Sequence, residues 1–440
     1  MKSLLVGNGA REHAVAEQMA RGSELYSFMS ANNPGLRRLS QEVAIGNTND
    51  PAEVVQFAQK VNPDYVFIGP EAPLAKGVGD ALEDAGFKVA GPRQVVARLE
   101  SDKGFCRELM AEKVPEGCPK FVICNDVDTA MSAIDDFETE IVVKPAGLTG
   151  GKGVQVQGIH LHNLDEVKAY SKDVITNEIG GSSYVVLEEK LVGEEFTLQV
   201  YTDGKKVVGM PLVQDHKLAF EGDTGPMTGG MGSYSDTDLM LPFVSEKDKK
   251  DSLNIIEKTL RAIYDKTGEY YKGVLYGQFM LTKDGPKIIE YNVRFGDPEA
   301  MNVLPVLKSD FSEICMSIVD SNLKTNIEFD KVATVCKYLV PKGYPTSPES
   351  GAKVEISEDT IKGFGANLYY ASIDQRDDGI YTSRSRSFGI VGIADTIPAA
   401  ESIAQKAAES VKCDKLFFRS DIGTSHLIQK RVKHMEEIRE

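Results

Sequence analysis

Residues 288–299, Ile-Ile-Glu-Tyr-Asn-Val-Arg-Phe-Gly-Asp-Pro-Glu, are the most informative stretch of this chain. Side chains alternate between the two faces of a β-strand, so Glu290, Asn292 and Arg294 share one face and the apolar residues between them share the other. A carboxylate with an amide oxygen suits Mg²⁺, and a guanidinium suits a carboxylate or phosphate. The stretch therefore predicts a metal site beside an anion site, typical of phosphoryl transfer onto an acid. An edge strand with a solvated polar face is the alternative.

A second stretch, residues 141–156, reads Ile-Val-Val-Lys-Pro-Ala-Gly-Leu-Thr-Gly-Gly-Lys-Gly-Val-Gln-Val. Two strands rich in β-branched residues flank a loop whose glycines let backbone N–H groups approach an anion. Lys144, at the end of the first strand, can reach a phosphate as a point charge. The Walker spacing is absent. The pattern predicts a glycine-rich β-hairpin that folds over phosphates, and a plain glycine turn is the alternative.

Composition excludes several classes of protein. A chain of 440 residues suggests about three domains. Its net charge of −16 argues against a nucleic-acid or anionic-membrane partner. The N-terminus does not read as a signal peptide, and no apolar run approaches the ~20 residues of a membrane span. The six cysteines lack zinc or Cys-x-x-Cys spacing, which indicates reduced thiols in a cytoplasmic protein.

The first hundred residues alternate between strand and helix patterns, which predicts a doubly wound parallel sheet. The predicted strands are residues 2–6, 26–30, 65–68 and 88–90, and the predicted helices are residues 11–20, 51–60 and 74–85. In the first turn, Gly7-Asn8-Gly9-Ala10-Arg11-Glu12-His13, Glu12 replaces the third glycine of a dinucleotide fingerprint. We interpret this turn as a phosphate pocket with Arg11 beside it, or else as a tight turn without a ligand. Glu71 follows the third strand at the sheet edge where ligands collect.

The rest of the chain predicts two further units. Helices are predicted at residues 103–113, 164–171 and 398–411, and strands at residues 120–124, 184–190, 195–201, 206–212, 276–282, 287–291, 332–340 and 388–393. Residues 214–234 contain five glycines and one proline, which predicts a long loop without helix or strand. Such a loop is usually functional or disordered, and the apolar side chains of Phe220, Met227, Met231 and Tyr234 favour function.

Taken together, these segments resemble the ATP-grasp superfamily and, within it, the phosphoribosylamine–glycine ligases of purine biosynthesis. The resemblance extends over nearly the whole chain. The hairpin and the Glu-x-Asn pair are shared with the wider superfamily, whereas Asp-Thr-Gly-Pro-Met-Thr-Gly-Gly-Met-Gly is more specific to the ligases. The motifs that carry it are residues 7–14, 69–74, 214–217, 223–232 and 292–299.

The resemblance implies a fold and a reaction. It implies an N-terminal α/β substrate domain over residues 1–102, an ATP-grasp domain over residues 103–328 with a lid at about 120–190, and a small C-terminal α/β domain over residues 329–440. The implied reaction joins glycine to 5-phosphoribosylamine through glycyl phosphate, with ATP converted to ADP and phosphate. Mg²⁺ or Mn²⁺ would be the metal, and the protein would be a monomer or weak homodimer.

The resemblance also assigns roles to individual residues. Arg294, Asp215 and Lys144 are the candidate catalytic residues, with Arg294 on the carboxylate of glycine or the acyl phosphate. The residues implied for metal binding are Glu290 and Asn292. Those implied for substrate binding are Gly9, Arg11, Glu71, Asp215, Asp223 and Arg294. Those implied for nucleotide binding are Lys103, Lys144, Gly150, Gly151, Gly153, Glu188, Glu189, Leu191 and Glu195, with residues 188–191 as the adenine hinge and Glu195 on the ribose.

Some residues depart from the family pattern. Ala146 stands where many members have Asp, and Gln278 stands near the usual position of another acidic metal ligand. Lys342 lies in a region that is often rich in small residues and either contacts phosphate or is solvated. His13 and His216 fit structural hydrogen bonding better than catalysis. Two alternatives stay open: another ATP-grasp ligase or carboxylase, and a nucleotide-binding regulatory module without catalysis.

Overall fold

The computed structural model describes residues 1–150 and 153–440, and its first hundred residues form a parallel sheet covered by helices. The strand order is β3-β2-β1-β4, which confirms the predicted doubly wound sheet. Asp50 caps the third helix as its position before Pro51 predicts, by accepting hydrogen bonds from the N–H groups of Ala52 and Glu53. The elements are β1 (Lys2–Val6), α1 (Ala10–Gly22), β2 (Glu24–Met29), α2 (Pro34–Leu39), β3 (Glu42–Ile45), α3 (Pro51–Val61), β4 (Tyr65–Ile68), α4 (Glu71–Ala75), α5 (Val78–Asp84) and α6 (Gln94–Ser101).

Two predictions in this unit were wrong. The predicted helix over residues 74–85 is two short helices, because Gly77 adopts a left-handed φ of +76° between them. The predicted strand over residues 88–90 is a single parallel bridge between Val66 and Val89. Strand β3 was missed, since it is a short edge strand without a strong apolar alternation.

The next unit is a small antiparallel sheet with its own buried apolar cluster. Its strand order is β5-β8-β6-β7, and Val142 and Val143 of β6 pair with β7 as the two arms of a hairpin. The tip of this predicted glycine hairpin includes residues 151 and 152, which lie outside the described residues. The elements are α7 (Lys103–Lys113), β5 (Phe121–Cys124), α8 (Val127–Asp136), β6 (Ile141–Pro145), β7 (Gln155–Val156), α9 (Leu164–Thr176) and β8 (Val185–Glu189).

The central unit contains an antiparallel sheet of order β10-β9-β15-β16. A β-bulge interrupts its last pairing: Glu290 pairs with Gln278 and Ile288 pairs with Phe279, so Ile289 is the extra residue. The elements are β9 (Glu194–Thr202), β10 (Val207–Gly209), β11 (Gln214–Asp215), β12 (Leu218–Phe220), β13 (Thr224–Met227), β14 (Gly232–Ser235), α10 (Glu246–Thr267), β15 (Gly273–Thr282), β16 (Gly285–Asn292), α11 (Ala300–Val303) and α12 (Phe311–Val319).

The C-terminal sheet is antiparallel and takes two strands from the central unit, in the order β11-β14-β17-β22-β19. The prediction that residues 214–234 contain no strand was therefore wrong, because β14 pairs with β17 from a distant part of the chain. The remaining elements are β17 (Ala333–Pro341), β18 (Lys353–Val354), α13 (Glu358–Gly363), β19 (Ala366–Tyr370), β20 (Ile373–Arg376), β21 (Gly379–Thr382), β22 (Phe388–Ala394), α14 (Ile397–Glu409), β23 (Leu416–Phe417) and α15 (Ser425–Arg439).

The sequence analysis also missed two long helices, α10 and α15. Helix α10 begins with a capping box between Ser245 and Asp248 and ends at Gly268, whose φ is +76°. Both end signals are legible in the sequence. Throughout the described ranges 1–150 and 153–440, no helix combines the length and apolar character that crossing a membrane requires.

An aromatic cluster ties the N-terminal sheet to the central sheet. Phe311 of α12 lies with its ring centroid 5.5 Å from that of Phe67 in β4 and 6.3 Å from that of Tyr201 in β9. Phe295, just after β16, packs between them and is 1% exposed. The apolar residues that alternate with Glu290, Asn292 and Arg294 therefore face the core.

We expect Phe311→Ala to destabilise the protein by about 3–5 kcal/mol, because it leaves a cavity where two units meet. The shift in the midpoint of urea denaturation checks this. Phe364→Ala is the matched control, since Phe364 is 40% exposed whereas Phe311 is 1% exposed. Equal shifts for the two variants would contradict the role of the aromatic cluster.

Candidate active site

A cleft of about 420 Å³ lies where the N-terminal, central and C-terminal sheets meet the small sheet of β5–β8. Backbone turns and strand ends from all four parts bring distant residues to its wall. Of the residues implied for a site by the sequence, those that line the cleft are Arg11, Glu71, Lys103, Lys144, Gly150, Glu188, Glu189, Leu191, Glu195, Asp215, Glu290, Asn292 and Arg294.

Three of the implied residues, Gly9, Gly153 and Asp223, do not line the cleft. The N–H group of Gly9 donates to the Glu12 carboxylate at 2.6 Å, so Glu12 caps its own helix at the point where a phosphate was predicted. A Cβ on the neighbouring Gly69 would lie 2.4 Å from that carboxylate, so Glu12 fills the turn. The Gly9 N–H group is thus already paired with a side chain, and the phosphate role of this turn stays a prediction.

Asp223 and Gly153 also lie outside the cleft. Asp223 forms ion pairs with Arg419 at 3.0 Å and with Arg431, because its hairpin packs against the C-terminal segment. The N–H group of Gly153 donates to Thr149 Oγ1 at 3.3 Å, and its carbonyl accepts from the Tyr170 hydroxyl at 2.6 Å. Gly151 lies outside the described residues.

Glu290 and Asn292 stand side by side at the end of β16. Burial opposes ionisation of Glu290, but Lys217, Lys144 and Lys103 outweigh it and hold the pKa of Glu290 at about 2. Asn292 Oδ1 accepts a hydrogen bond from Arg294 Nη2 at 2.9 Å, and Asn292 Nδ2 donates to Glu290 Oε1 at 3.5 Å. An ionised carboxylate and an amide oxygen are a donor set that fits a hard divalent cation. Here a flip of the Asn292 amide would turn its oxygen toward that carboxylate.

Arg294 is held by carboxylates of the N-terminal unit. Its Nε lies 3.1 Å from Glu71 Oε2, and its Nη2 lies 3.2 Å from Glu100 Oε1. Despite burial, the charges of Arg294 and Arg11 lower the pKa of Glu71 to about 2. Burial raises the pKa of Glu100 to about 7, which Arg294 only partly offsets. The guanidinium is therefore engaged, and a substrate anion there has to compete with Glu71 or Glu100.

On the other side of Glu290 lie the implied phosphate lysines. Lys103 Nζ donates to the carbonyl of Gly147 at 2.7 Å. Lys144 Nζ lies 2.8 Å from Glu188 Oε2 and donates to the carbonyl of Ile289 at 2.8 Å. The Glu188 carboxylate therefore pairs with cations under the hinge, so only the backbone of Glu188 is left for an adenine.

Gln278 and Lys217 lie beside Glu290, the predicted metal ligand, and change the charge around it. Gln278 Nε2 donates to Glu195 Oε2 at 2.5 Å, and its Oε1 accepts a hydrogen bond from Lys217. Lys217 Nζ also lies 3.8 Å from Glu290 Oε1. Gln278, which stands near the usual position of an acidic metal ligand, thus carries no charge, and the ammonium group of Lys217 lies beside it. Lys342, in contrast, does not line the cleft.

Sequence reasoning missed several residues that line the cleft. Arg107 lies one helical turn after Lys103 on α7, and this i, i+4 spacing was a signal that could have found it. Arg386, from the turn before β22, donates to the carbonyl of Gly229 at 2.6 Å and to Asp297 Oδ2 at 2.9 Å. Glu299 ends the quoted stretch of residues 288–299 but was given no role there, whereas Glu100 carries no local motif, because only the fold brings it to the cleft.

Asp215, like Glu100, is a carboxyl group of the cleft whose pKa lies near neutral pH. Burial, together with the nearby carboxylates of Glu299, Glu195 and Glu290, raises the pKa of Asp215 to about 8 even though Lys217 opposes the shift. The two histidines differ from it, since burial lowers the pKa of both His13 and His216 to about 3. His13 Nδ1 accepts from the N–H group of Tyr370 at 3.0 Å, a structural hydrogen bond.

This chain is similar to known proteins over its whole length. Residues 1–100, 101–300 and 334–425 match the N domain, the ATP-grasp (A) domain and the C domain of phosphoribosylglycinamide synthetase. The chain is 50% identical over 438 residues to the phosphoribosylamine–glycine ligase of Methanobrevibacter smithii, with 100% of each chain covered.

Solved structures give the same result. The crystal structure of phosphoribosylamine–glycine ligase from Thermotoga maritima superposes with a TM-score of 0.81 at 27% identity, over 96% of this chain and 100% of the other. The biotin carboxylase domain of the 2-oxoglutarate carboxylase from Hydrogenobacter thermophilus shares the fold at 15% identity, with a TM-score of 0.73 over 99% of this chain and 93% of the other. On the three domain matches and the full-length identity, this chain belongs to the phosphoribosylglycinamide synthetase family.

Proposed function

We propose that this protein is an ATP-dependent ligase that joins glycine to 5-phosphoribosylamine in purine biosynthesis, giving glycinamide ribonucleotide, ADP and phosphate. The observation that carries the proposal is the cleft itself. It sets Glu290 and Asn292 between the lysines Lys103 and Lys144 on one side and Arg294 on the other, in a chain half identical to named ligases. Phosphoryl transfer needs this kind of charge placement more than it needs covalent chemistry from the protein.

The nucleotide is proposed to lie between the small sheet and the central sheet. Lys103 and Lys144 would contact its phosphates together with the glycine loop of residues 150, 151 and 153. The backbone of residues 188–191 would meet the adenine, and Glu195 the ribose. We propose domains over residues 1–102, 103–328 and 329–440, with the small sheet of residues 120–190 as the lid.

Glu290 and Asn292 are the residues proposed to hold a divalent cation, Mg²⁺ or Mn²⁺. When bound, the cation would neutralise charge on the phosphoryl group as it is transferred. The chain prepares this position by keeping Glu290 ionised through the three lysines around it.

The reaction is proposed to run in two steps through glycyl phosphate. A carboxylate oxygen of glycine attacks the γ-phosphorus of ATP, the bond to the bridging oxygen breaks, and ADP leaves. The amine nitrogen of phosphoribosylamine then attacks the acyl carbon and displaces phosphate. Arg294 would hold the carboxylate, Asp215, which lines the cleft, would contact the amine, and the proton that the amine loses would leave with the displaced phosphate. Closure of the lid would keep water from the acyl phosphate.

The sugar phosphate is proposed to bind at the N-terminal side of the cleft. Arg11 Nη1 lies 3.8 Å from Glu71 Oε2 there, and both residues line the cleft. Gly9 and Asp223, which do not line the cleft in this structure, are proposed to bind the substrate together with Arg11 and Glu71. We further propose a cytoplasmic protein, monomeric or weakly dimeric, whose partners are these small molecules.

The test is release of ADP from ATP and Mg²⁺ with glycine, with and without freshly generated phosphoribosylamine. ADP release that needs both acceptors, with glycinamide ribonucleotide as the product, is the expected result. Release that follows a different acid would identify another ATP-grasp ligase instead. Nucleotide binding without turnover over all plausible acids would overturn the enzymatic proposal.

Glu290→Gln is expected to lower kcat by at least about 10²-fold, because one preorganised charge at the transferring phosphoryl group is lost. Steady-state ADP release at limiting Mg²⁺ is the measurement. Glu108→Gln is the control, since Glu108 is an exposed residue of α7. Turnover close to that of the wild type would remove Glu290 from the metal site.

Asp215→Asn is expected to stabilise the protein increasingly as pH rises. The folded-state pKa of about 8 lies above the ordinary value of 3.8, so between these values the unfolded chain ionises Asp215 and the folded chain does not. The wild type therefore loses stability as pH rises through this window, and the amide does not titrate. Melting temperatures of both proteins at about pH 5 and about pH 8 check this. A constant difference between them would contradict the raised pKa.

A further inference from the structure

A compact group of buried charges lies beneath the hinge between β8 and β9. It consists of Arg107 from α7, Lys144 from β6, Glu188 from β8 and the carbonyl of the bulged residue Ile289 in β16. The three charged residues are 3%, 4% and 3% exposed. Both cations contact both acceptors, so this charge group links helix α7 to three strands from two sheets.

The two cations hold the acceptors differently. Arg107 Nε donates to Glu188 Oε1 at 2.6 Å, and Arg107 Nη2 donates to Glu188 Oε2 at 2.9 Å and to the carbonyl of Ile289 at 2.6 Å. Lys144 Nζ meets only Glu188 Oε2 and the Ile289 carbonyl, each at 2.8 Å. Every acceptor that Lys144 uses is therefore also held by Arg107.

This redundancy matters because Lys144 lines the cleft. If the ammonium of Lys144 turns toward an anion in the cleft, it leaves Glu188 and Ile289 behind. A buried carboxylate without a cation is strongly unfavourable. The bidentate contact from Arg107 keeps Glu188 neutralised and the Ile289 carbonyl hydrogen-bonded after Lys144 has moved.

We propose that Arg107 is a positioning residue that frees Lys144 to exchange Glu188 for the phosphates of the bound nucleotide. Arg107 itself does not contact the nucleotide in this scheme. By remaining paired with Glu188, it lowers the free energy that Lys144 needs to leave this carboxylate. The proposal rests on the proposed function, because it assigns Lys144 to the phosphates of ATP.

The test compares Arg107→Met with the wild type, using the full chain and the non-hydrolysable analogue AMP-PNP with Mg²⁺ in calorimetric titrations. Arg107→Met is expected to raise the Kd of AMP-PNP by roughly 10- to 100-fold, because Lys144 becomes the only cation on Glu188. In turnover, the KM for ATP should rise more than kcat falls. Arg107→Lys restores one charge without the bidentate geometry and should give an intermediate Kd.

The double variant Arg107→Met/Glu188→Gln separates this role from a structural one. A neutral amide at position 188 needs no cation, so Lys144 is released and the Kd should return to within several-fold of the wild type. A double variant that binds as weakly as Arg107→Met, or an Arg107→Met that binds like the wild type, would overturn the proposal. If melting shows that Arg107→Met does not fold, Arg107→Lys and Arg107→Lys/Glu188→Gln provide the same comparison.

Lys144→Met separates the phosphate role of Lys144 from the positioning role of Arg107. Weak binding of AMP-PNP to Lys144→Met with wild-type binding to Arg107→Met would overturn the role of Arg107 alone. Wild-type binding to Lys144→Met would overturn the phosphate role of Lys144 in the proposed function, and the exchange with it.

Discussion

The two faces of β16 and the segment that follows it are the constraint on which this structure depends. Glu290, Asn292 and Arg294 face the cleft, whereas Tyr291, Val293 and Phe295 are at most 3% exposed in the core. Packing of Phe295 against Phe67 and Phe311 joins the N-terminal unit to the central sheet. The interaction that assembles the units therefore also sets the position of the candidate metal ligands.

The cleft contains many charges, and several of them are balanced by a neighbour of opposite charge. Glu188 is paired with Arg107 and Lys144, Glu290 lies near Lys217, and Arg294 bridges Glu71 and Glu100. Because a buried charge needs a partner in a medium of low polarity, a ligand that binds Lys144 or Arg294 has to exchange partners with these carboxylates. Binding at this site is thus a competition between intramolecular and intermolecular ion pairs.

Local patterns predicted the elements that depend on nearby residues. The alternation at 288–295, the cap at Asp50 and the glycine-rich hairpin at 141–156 need only a few neighbouring positions, and the structure agrees with them. The strands within residues 214–234 could not be predicted in this way, because β14 is held in place by β17. Glu100 and Arg386 reach the cleft only through tertiary packing, and the ion pairs of Asp223 with the C-terminal segment are equally non-local.

The bulge at Ile289 has a consequence for how this site can change. Arg107 and Lys144 bind the main-chain oxygen of Ile289 rather than its side chain, and that oxygen is presented by the extra residue of β16. The acceptor is therefore independent of the amino acid at position 289, and substitution there leaves it in place. Only deleting a residue would restore the regular ladder, so this contact is robust to point mutation and would be lost in a single step by a change of chain length.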